Sequence, residues 1–144
     1  MLAKRLISIV KLRRAAVDEA QRFVTECLAA ETRAETHYHN WESKIWRETE
    51  AASALEATDL RVSAFANWLP DARRQLTNAR TQHERTSAET SGARAHLAAS
   101  RAALSVIEEL WNTAQKGERT AADARLQSEL DQLIHAHPRR TPAS

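Results

Sequence analysis

The sequence has few of the residues that form turns or covalent cross-links. Its 144 residues include two glycines, three prolines and a single cysteine, Cys27. A fold of many short elements needs more glycine and proline at its turns, and one cysteine cannot form an internal disulfide. Aromatic residues make up only 5 % of the chain. No apolar run approaches the roughly 20 residues that span a bilayer. These shortages argue against a multi-layer domain, a disulfide-stapled domain and a membrane-spanning protein.

The residues that dominate instead are strong helix formers, with alanine the commonest and 28 % of the chain charged. Apolar or small residues recur at spacings of three and four along two stretches. In the first stretch they are Leu2, Leu6, Ile9, Ala16, Ala20, Phe23, Cys27, Ala30, Ala34, Tyr38, Trp41, Ile45, Ala52 and Leu55. In the second they are Phe65, Leu69, Ala72, Leu76, Ala79, His83, Thr86, Thr90, Ala93, Leu97, Ser100, Leu104, Ile107, Trp111 and Ala114. This spacing predicts an all-α fold, a long antiparallel two-helix coiled-coil hairpin.

The ends of the two helices follow from capping residues and prolines. We expect helix one over about residues 2–58, a turn at about 59–69 and helix two over about 64–136. Asp59 or Ser63 could cap helix two, and Pro70 suits a first turn better than a helix interior. Residues 1–137 then form a single domain. The proline-containing residues 138–144 are predicted to be a disordered tail.

A turn near residue 60 places residue i opposite roughly residue 121 − i. His83 then faces the segment 37–41, and Thr86 and Thr90 face alanines. The seam is thin there, and we expect replacement of both threonines by leucine to stabilise the hairpin.

In this register, the C-terminal part of helix two extends beyond the start of helix one. Residues after about Thr120 have no partner within the hairpin, although Leu126, Leu130 and Leu133 continue an apolar stripe. An apolar stripe on an unpaired helix predicts contact with another protein.

The N-terminal residues form a basic cluster without any acidic residue. Its members are Lys4, Arg5, Lys11, Arg13 and Arg14. Such a cluster can attract nucleic acid or acidic lipid, but it lacks the interleaved aromatic residues that typify a nucleic-acid surface.

The sequence predicts neither a catalytic site nor a metal or cofactor site. His37 and His39, like His135 and His137, are two residues apart, so on a helix their side chains point in nearly opposite directions. We find no glycine-rich phosphate loop and no nucleophile motif.

Two kinds of residue near the turn leave alternatives open. His83 in the seam either fixes the register of the coiled coil or contacts an outside partner. Trp41, Trp46 and Trp68 are either anchors for a partner protein or packing residues around the turn.

The chain resembles the flagellar type III export-ATPase stalk proteins, the FliJ family, in its length, its basic start and several segments. These segments are residues 63–69, residues 76–83, Arg101 and Leu104 with residues 107–110, and residues 125–133. The resemblance implies a stalk whose chain-termini end enters a hexameric export ATPase. That end carries the basic cluster and Leu126, Leu130 and Leu133. The region near the turn would meet the export-gate membrane protein, and export chaperones would also bind.

The resemblance places the gate contact on Leu76, Ala79 and His83. Ala72 stands where the family has a large aromatic residue, so that contact would be weaker or moved to Trp68. Tyr38, Trp41 and Ile45 would substitute for a tyrosine-bearing patch that this sequence does not reproduce.

The sequence therefore favours a non-catalytic cytoplasmic stalk of a type III export ATPase, peripheral at the cytoplasmic face of the export apparatus. It would promote assembly of the ATPase hexamer and couple it to the gate and to chaperones, without nucleic acid and with only indirect membrane contact. A generic coiled-coil adaptor gives the same periodicity and is the alternative, followed by a basic coiled coil that binds nucleic acid.

Overall fold

The computed structural model of the protein describes residues 1–136 and contains two helices. Helix α1 spans Leu2–Ser53 and helix α2 spans Asp59–Ala136. The helices pack against each other as an antiparallel all-α hairpin, which confirms the predicted fold class. The residues predicted as a disordered tail, and His137, lie outside the described part of the chain.

The loop between the helices comprises residues 54–58, so the predicted turn at 59–69 and the predicted end of helix one near residue 58 were wrong. Thr58 is the N-cap of α2, because the Arg61 amide donates a 3.2 Å hydrogen bond to its hydroxyl oxygen. Asp59 follows in the first turn, where a negative charge favours the helix N-terminus. A threonine cap and an adjacent acid thus fix the start of α2 at Asp59.

Pro70 lies inside α2 and not in its first turn, contrary to the sequence prediction. A proline in this position has no N–H to donate to the carbonyl four residues earlier. Its ring is on the exposed side of the helix, where water can bond that carbonyl instead.

The chain divides into two compact units, and each unit contains part of both helices. The first unit combines Met1–Val17 with α2 from Ser100 onward, and the second unit comprises Asp18–Ala99. In the second unit Tyr38 stacks on His83, and in the first the Ala3 amide donates to Glu118. Both pairs agree with the predicted register, so the register is confirmed although the turn was misplaced.

Small residues form the seam of the second unit. From α1 it buries Ala20, Cys27 and Ala34, and from α2 it buries Ala72, Ala79, Thr86, Thr90 and Ala93. Every seam position predicted for α2 between Phe65 and Ala114 is at least half-buried. Phe23 was wrongly assigned to the seam, since it is 51 % exposed.

In the first unit, two of the predicted seam positions of α1 were wrong, while Leu6 and Ala16 are half-buried as predicted. Ala3, Val10 and Val17 are the buried residues, whereas Leu2 and Ile9 are exposed. Apolar residues occupy adjacent positions in this stretch, so the three-and-four spacing fits two faces. Packing selects the face with smaller side chains, and Val10 is the largest fully buried residue.

Beyond Glu118, the side chains of α2 are exposed as far as Ala136. We call residues 119–136 the α2 extension. At 1.5 Å per residue it continues for roughly 27 Å past the contact with Ala3. Leu126, Leu130 and Leu133 lie in this extension and are exposed, as the register predicted.

We expect the double change T86L/T90L to lower the unfolding midpoint, the reverse of what the sequence suggested. Thr86 and Thr90 are only 4 % and 2 % exposed, so a larger side chain must push the helices apart. Their hydroxyls donate to carbonyls of the same helix, Thr90 to Thr86 at 3.0 Å, and hold nothing across the seam. The measurement is a thermal melt followed by circular dichroism.

The matched control is T86V/T90V, which keeps nearly the same volume. Because it removes only these local hydrogen bonds, its midpoint should stay close to that of the wild type. A leucine variant as stable as the valine variant would show that the seam has room to spare.

We expect acid to loosen the start of α1. The Glu118 carboxylate accepts hydrogen bonds from the Met1 ammonium at 2.7 Å and the Ala3 amide at 3.1 Å, and these lower its pKa. A group with a lowered folded pKa stabilises the fold above its unfolded value, and this contribution disappears as pH falls through the folded value. The protection of the Ala3 amide, measured as its exchange rate relative to the intrinsic rate at the same pH, should therefore fall at acidic pH.

The variant Glu118→Gln should lose this dependence, because it cannot titrate. Glu109→Gln is the control, an exposed α2 glutamate that should leave the acid response of Ala3 unchanged. Identical profiles for the wild type and Glu118→Gln would contradict this prediction.

Candidate functional site

Aromatic side chains concentrate in the second unit near the loop. Five of the seven aromatic residues of the chain lie between residues 38 and 68 of this unit, namely Tyr38, Trp41, Trp46, Phe65 and Trp68. All but Trp46 are half-buried, whereas Trp46 is 65 % exposed. Trp41 and Trp68 pack near the loop, whereas Trp46 presents its ring to solvent, and a role of these residues as partner anchors stays a prediction.

Tyr38 is the centre of a small cluster across the two helices. Its ring stacks on His83 with centroids 6.3 Å apart, and the Arg80 guanidinium lies 5.7 Å from the ring centroid. Arg80 also donates a 3.3 Å hydrogen bond to the Tyr38 hydroxyl, which raises the pKa of the guanidinium. His83 thus faces residues 37–41 as predicted, but its buried Nδ1 has no hydrogen-bond partner in the described chain.

Lys44 connects the tryptophans of the two helices. Its ammonium lies 5.0 Å from the ring centroid of Trp41 on α1 and 5.8 Å from that of Trp68 on α2. Trp68 also packs on Phe65, with ring centroids 6.1 Å apart. A cation held over two indole faces is attracted by both ring quadrupoles, so this contact helps to fix the two helices near the loop.

A cavity of about 300 Å³ opens beside this contact. We call it the turn-end cavity, and its lining residues are Lys44, Glu48, Ala52, Arg61, Ala64, Phe65 and Trp68. Its size is at the lower end of the range of ligand sites in proteins. Apolar side chains, two cationic ones and the Glu48 carboxylate meet in it, and the net positive charge suits a ligand with an apolar part and a negative charge.

The residues predicted for gate contact are mostly seam residues. Ala79 is only 3 % exposed, so little of its surface is available to a partner. Leu76, His83 and Ile45 are half-buried, as are Tyr38, Trp41 and Trp68. Tyr38 stacks on His83, and the Lys44 ammonium contacts both Trp41 and Trp68. Ala79 is buried in the seam between the helices.

Sequence reasoning missed Lys44, Arg61 and Arg80 as members of this region. Lys44 follows Trp41 by three residues, a spacing that places the two side chains on one helix face. That signal was available, but the second indole and Arg61 come from α2 and depend on how the loop returns the chain.

The first unit carries the predicted apolar stripe and the basic cluster. In the α2 extension Leu126, Leu130 and Leu133 are 57 %, 46 % and 59 % exposed, and Ile134 joins them at 70 %. All five cations of the basic cluster are exposed. Only Arg14 of these has a carboxylate within ion-pair distance among residues 1–136, that of Glu108 at 3.3 Å.

Among residues 1–136, no three histidine, cysteine, aspartate or glutamate side chains come together as metal ligands. His39 approaches Glu42 at 2.9 Å and Glu35 at 3.6 Å, all on the exposed surface of α1. Neither described helix is apolar enough over a sufficient length to cross a membrane.

No family model, curated protein or solved structure matches this chain. The resemblance to export-ATPase stalk proteins therefore stays a prediction, and function has to be inferred from the exposed side chains.

We expect His83→Leu to raise the unfolding midpoint of the hairpin. The change replaces a seam side chain that has a buried nitrogen without a partner, and such an atom costs about 1–3 kcal/mol. A thermal melt measures the effect, with His96→Leu, at an exposed α2 position, as the control that should not gain stability. If His83→Leu melts lower than the wild type, stacking on Tyr38 outweighs the unpaired nitrogen.

Proposed function

We propose that this protein is a non-catalytic helical stalk that binds partner proteins, and that its main partner is the hexameric ATPase of a type III protein-export system. In this role it would promote hexamer assembly and couple the ATPase to the export gate and to export chaperones, at the cytoplasmic face of the apparatus. The flagellar system is the one that its sequence resembles.

The observation that carries the proposal is the exposed apolar face of the α2 extension. Leu126, Leu130 and Leu133 follow one another at four and three residues, so they share a face of the helix. The face is open because α1 has no residue opposite it. A preformed helix with such a face can enter an apolar groove or pore without first paying the entropy of folding.

The basic cluster supports the same assignment through its position. It belongs to the first unit, together with the α2 extension. Exposed and mostly unpaired cations attract an acidic partner surface over long range, and they raise association rates more than affinity. A partner that receives the extension would thus be one with an acidic entrance, which is what we propose for the ATPase.

The aromatic residues of the second unit support a separate contact, proposed here to be the gate. Trp46 is exposed, and Trp41 and Trp68 retain accessible ring surface. Tryptophans are frequent anchors of protein interfaces. Since Ala79 is buried, the gate contact would draw on Trp68, Trp41 and Tyr38 more than on Ala79.

We expect the triple change L126S/L130S/L133S to abolish capture of a purified type III export ATPase while leaving the melting curve nearly unchanged. The three leucines contribute little to the hairpin because they face solvent, but they would supply the anchor residues of the complex. Leu104→Ala should lower the midpoint, since truncating a half-buried seam leucine removes packing.

The matched control is L12S/V106S/L110S, which removes three exposed apolar side chains of the same unit outside the extension. It should retain ATPase binding. Loss of stability with retained binding in the extension variant would contradict the proposal. Failure of the wild-type chain to bind the ATPase would leave the generic adaptor as the better account.

A further inference from the structure

The turn-end cavity has a composition that the stalk role does not explain. Its walls include Ala52, Ala64, Phe65 and Trp68, and its polar lining residues are Lys44, Glu48 and Arg61. Two cations and one carboxylate leave a net positive charge on an apolar recess. This charge pattern is complementary to a ligand that carries a carboxylate beside an apolar group.

Both cations retain donors for a ligand. Neither the Lys44 ammonium nor the Arg61 guanidinium has a carboxylate within 4.0 Å among residues 1–136. Lys44 is occupied by ring faces, which do not accept its N–H groups as an oxygen would. An incoming carboxylate could therefore bond both cations without breaking an existing ion pair.

The cavity also sits on well-fixed backbone. Arg61 donates its amide to the capping Thr58 at 3.2 Å, so the first turn of α2 is anchored. The Lys44 ammonium lies over the Trp41 and Trp68 rings, 5.0 and 5.8 Å from their centroids. Groups that are already ordered lose little freedom when a ligand binds, which favours affinity.

Exposed apolar residues stand close to the cavity-lining residues Ala52 and Arg61 in the sequence. Leu55 in the loop is fully exposed, and Leu60 and Val62 in the first turn of α2 are 81 % and 44 % exposed. Neighbouring exposed apolar residues indicate a surface for a polypeptide. The cavity would take one side chain of the bound segment, and these residues would contact its neighbours.

We propose that the turn-end cavity binds a short acidic peptide segment of a partner protein, with an apolar side chain against Phe65 and Trp68 and a carboxylate on Lys44 and Arg61. This deepens the partner-binding role proposed for the second unit and rests on it. It does not depend on the ATPase contact of the α2 extension.

The test is fluorescence anisotropy with the full chain and a fluorescein-labelled peptide in which one phenylalanine stands between two aspartates. We expect saturable binding with a dissociation constant on the order of 100 µM or lower. The peptide with asparagines for aspartates, and the peptide with alanine for phenylalanine, should each bind at least about tenfold more weakly, because each lacks one half of the recognition.

Two variants locate the site. K44Q/R61Q removes both cations, and Ala64→Leu fills the cavity at an exposed helix position; each should weaken binding about tenfold or more. The matched control R47Q/R73Q removes one exposed arginine from each helix outside the cavity lining and should leave binding within twofold. Melting curves of all variants establish that they fold.

No saturable binding to the wild-type chain, or equal binding to K44Q/R61Q, would overturn the proposal. Free 3-phenylpropionate binding as tightly as the peptide would also overturn it, because the site would then belong to a small molecule. Capture of the export ATPase by K44Q/R61Q is expected to be normal. Peptide binding without ATPase capture would instead refute the stalk assignment and leave the cavity assignment standing.

Discussion

The packing of small side chains along the helix–helix seam is the constraint on which the rest of the structure depends. The buried residues are chiefly alanines, with two valines, two threonines and one cysteine. Such side chains let helices approach closely, but each removes little apolar surface from water. The stability of the hairpin must then come from many small contacts repeated along two long helices. Larger apolar and aromatic side chains are at most half-buried in this seam, apart from its valines, and many lie on the surface, where partners can reach them.

The sequence predicted the fold and the register because both are periodic properties. The spacing from Phe65 to Ala114 is unbroken, and every position in it is at least half-buried. Two features escaped prediction because they are not periodic. Near the N-terminus Ala3 and Val10 are buried in preference to Leu2 and Ile9, since close packing selects smaller side chains. At the loop, the start of α2 is set by the side-chain cap of Thr58, which is a local contact and not a repeated spacing.

The candidate sites also differ in whether the register alone predicts them. Exposure of Leu126, Leu130 and Leu133 follows from the register alone, because the register sets where α1 stops covering α2. The approach of His83 to Tyr38 follows for the same reason. The position of Lys44 over two indoles does not follow from the register, and neither does the cavity beside it. Both depend on the path of the loop and on the rotamers of long side chains. A pattern of apolar spacing contains no information about either.

The two units present binding surfaces of different physical character. In the first, an apolar helix face lies with exposed cations that are mostly unpaired, so attraction and anchoring come from separate groups. In the second unit a cation and an apolar surface lie in direct contact, because the Lys44 ammonium lies over the Trp68 ring, which lines the cavity. Salt screens the exposed, separate charges of the first surface, which act over long range. Binding through the first unit should therefore depend on ionic strength mainly in its association rate. Binding through the second should depend on whether both halves of the ligand are present together.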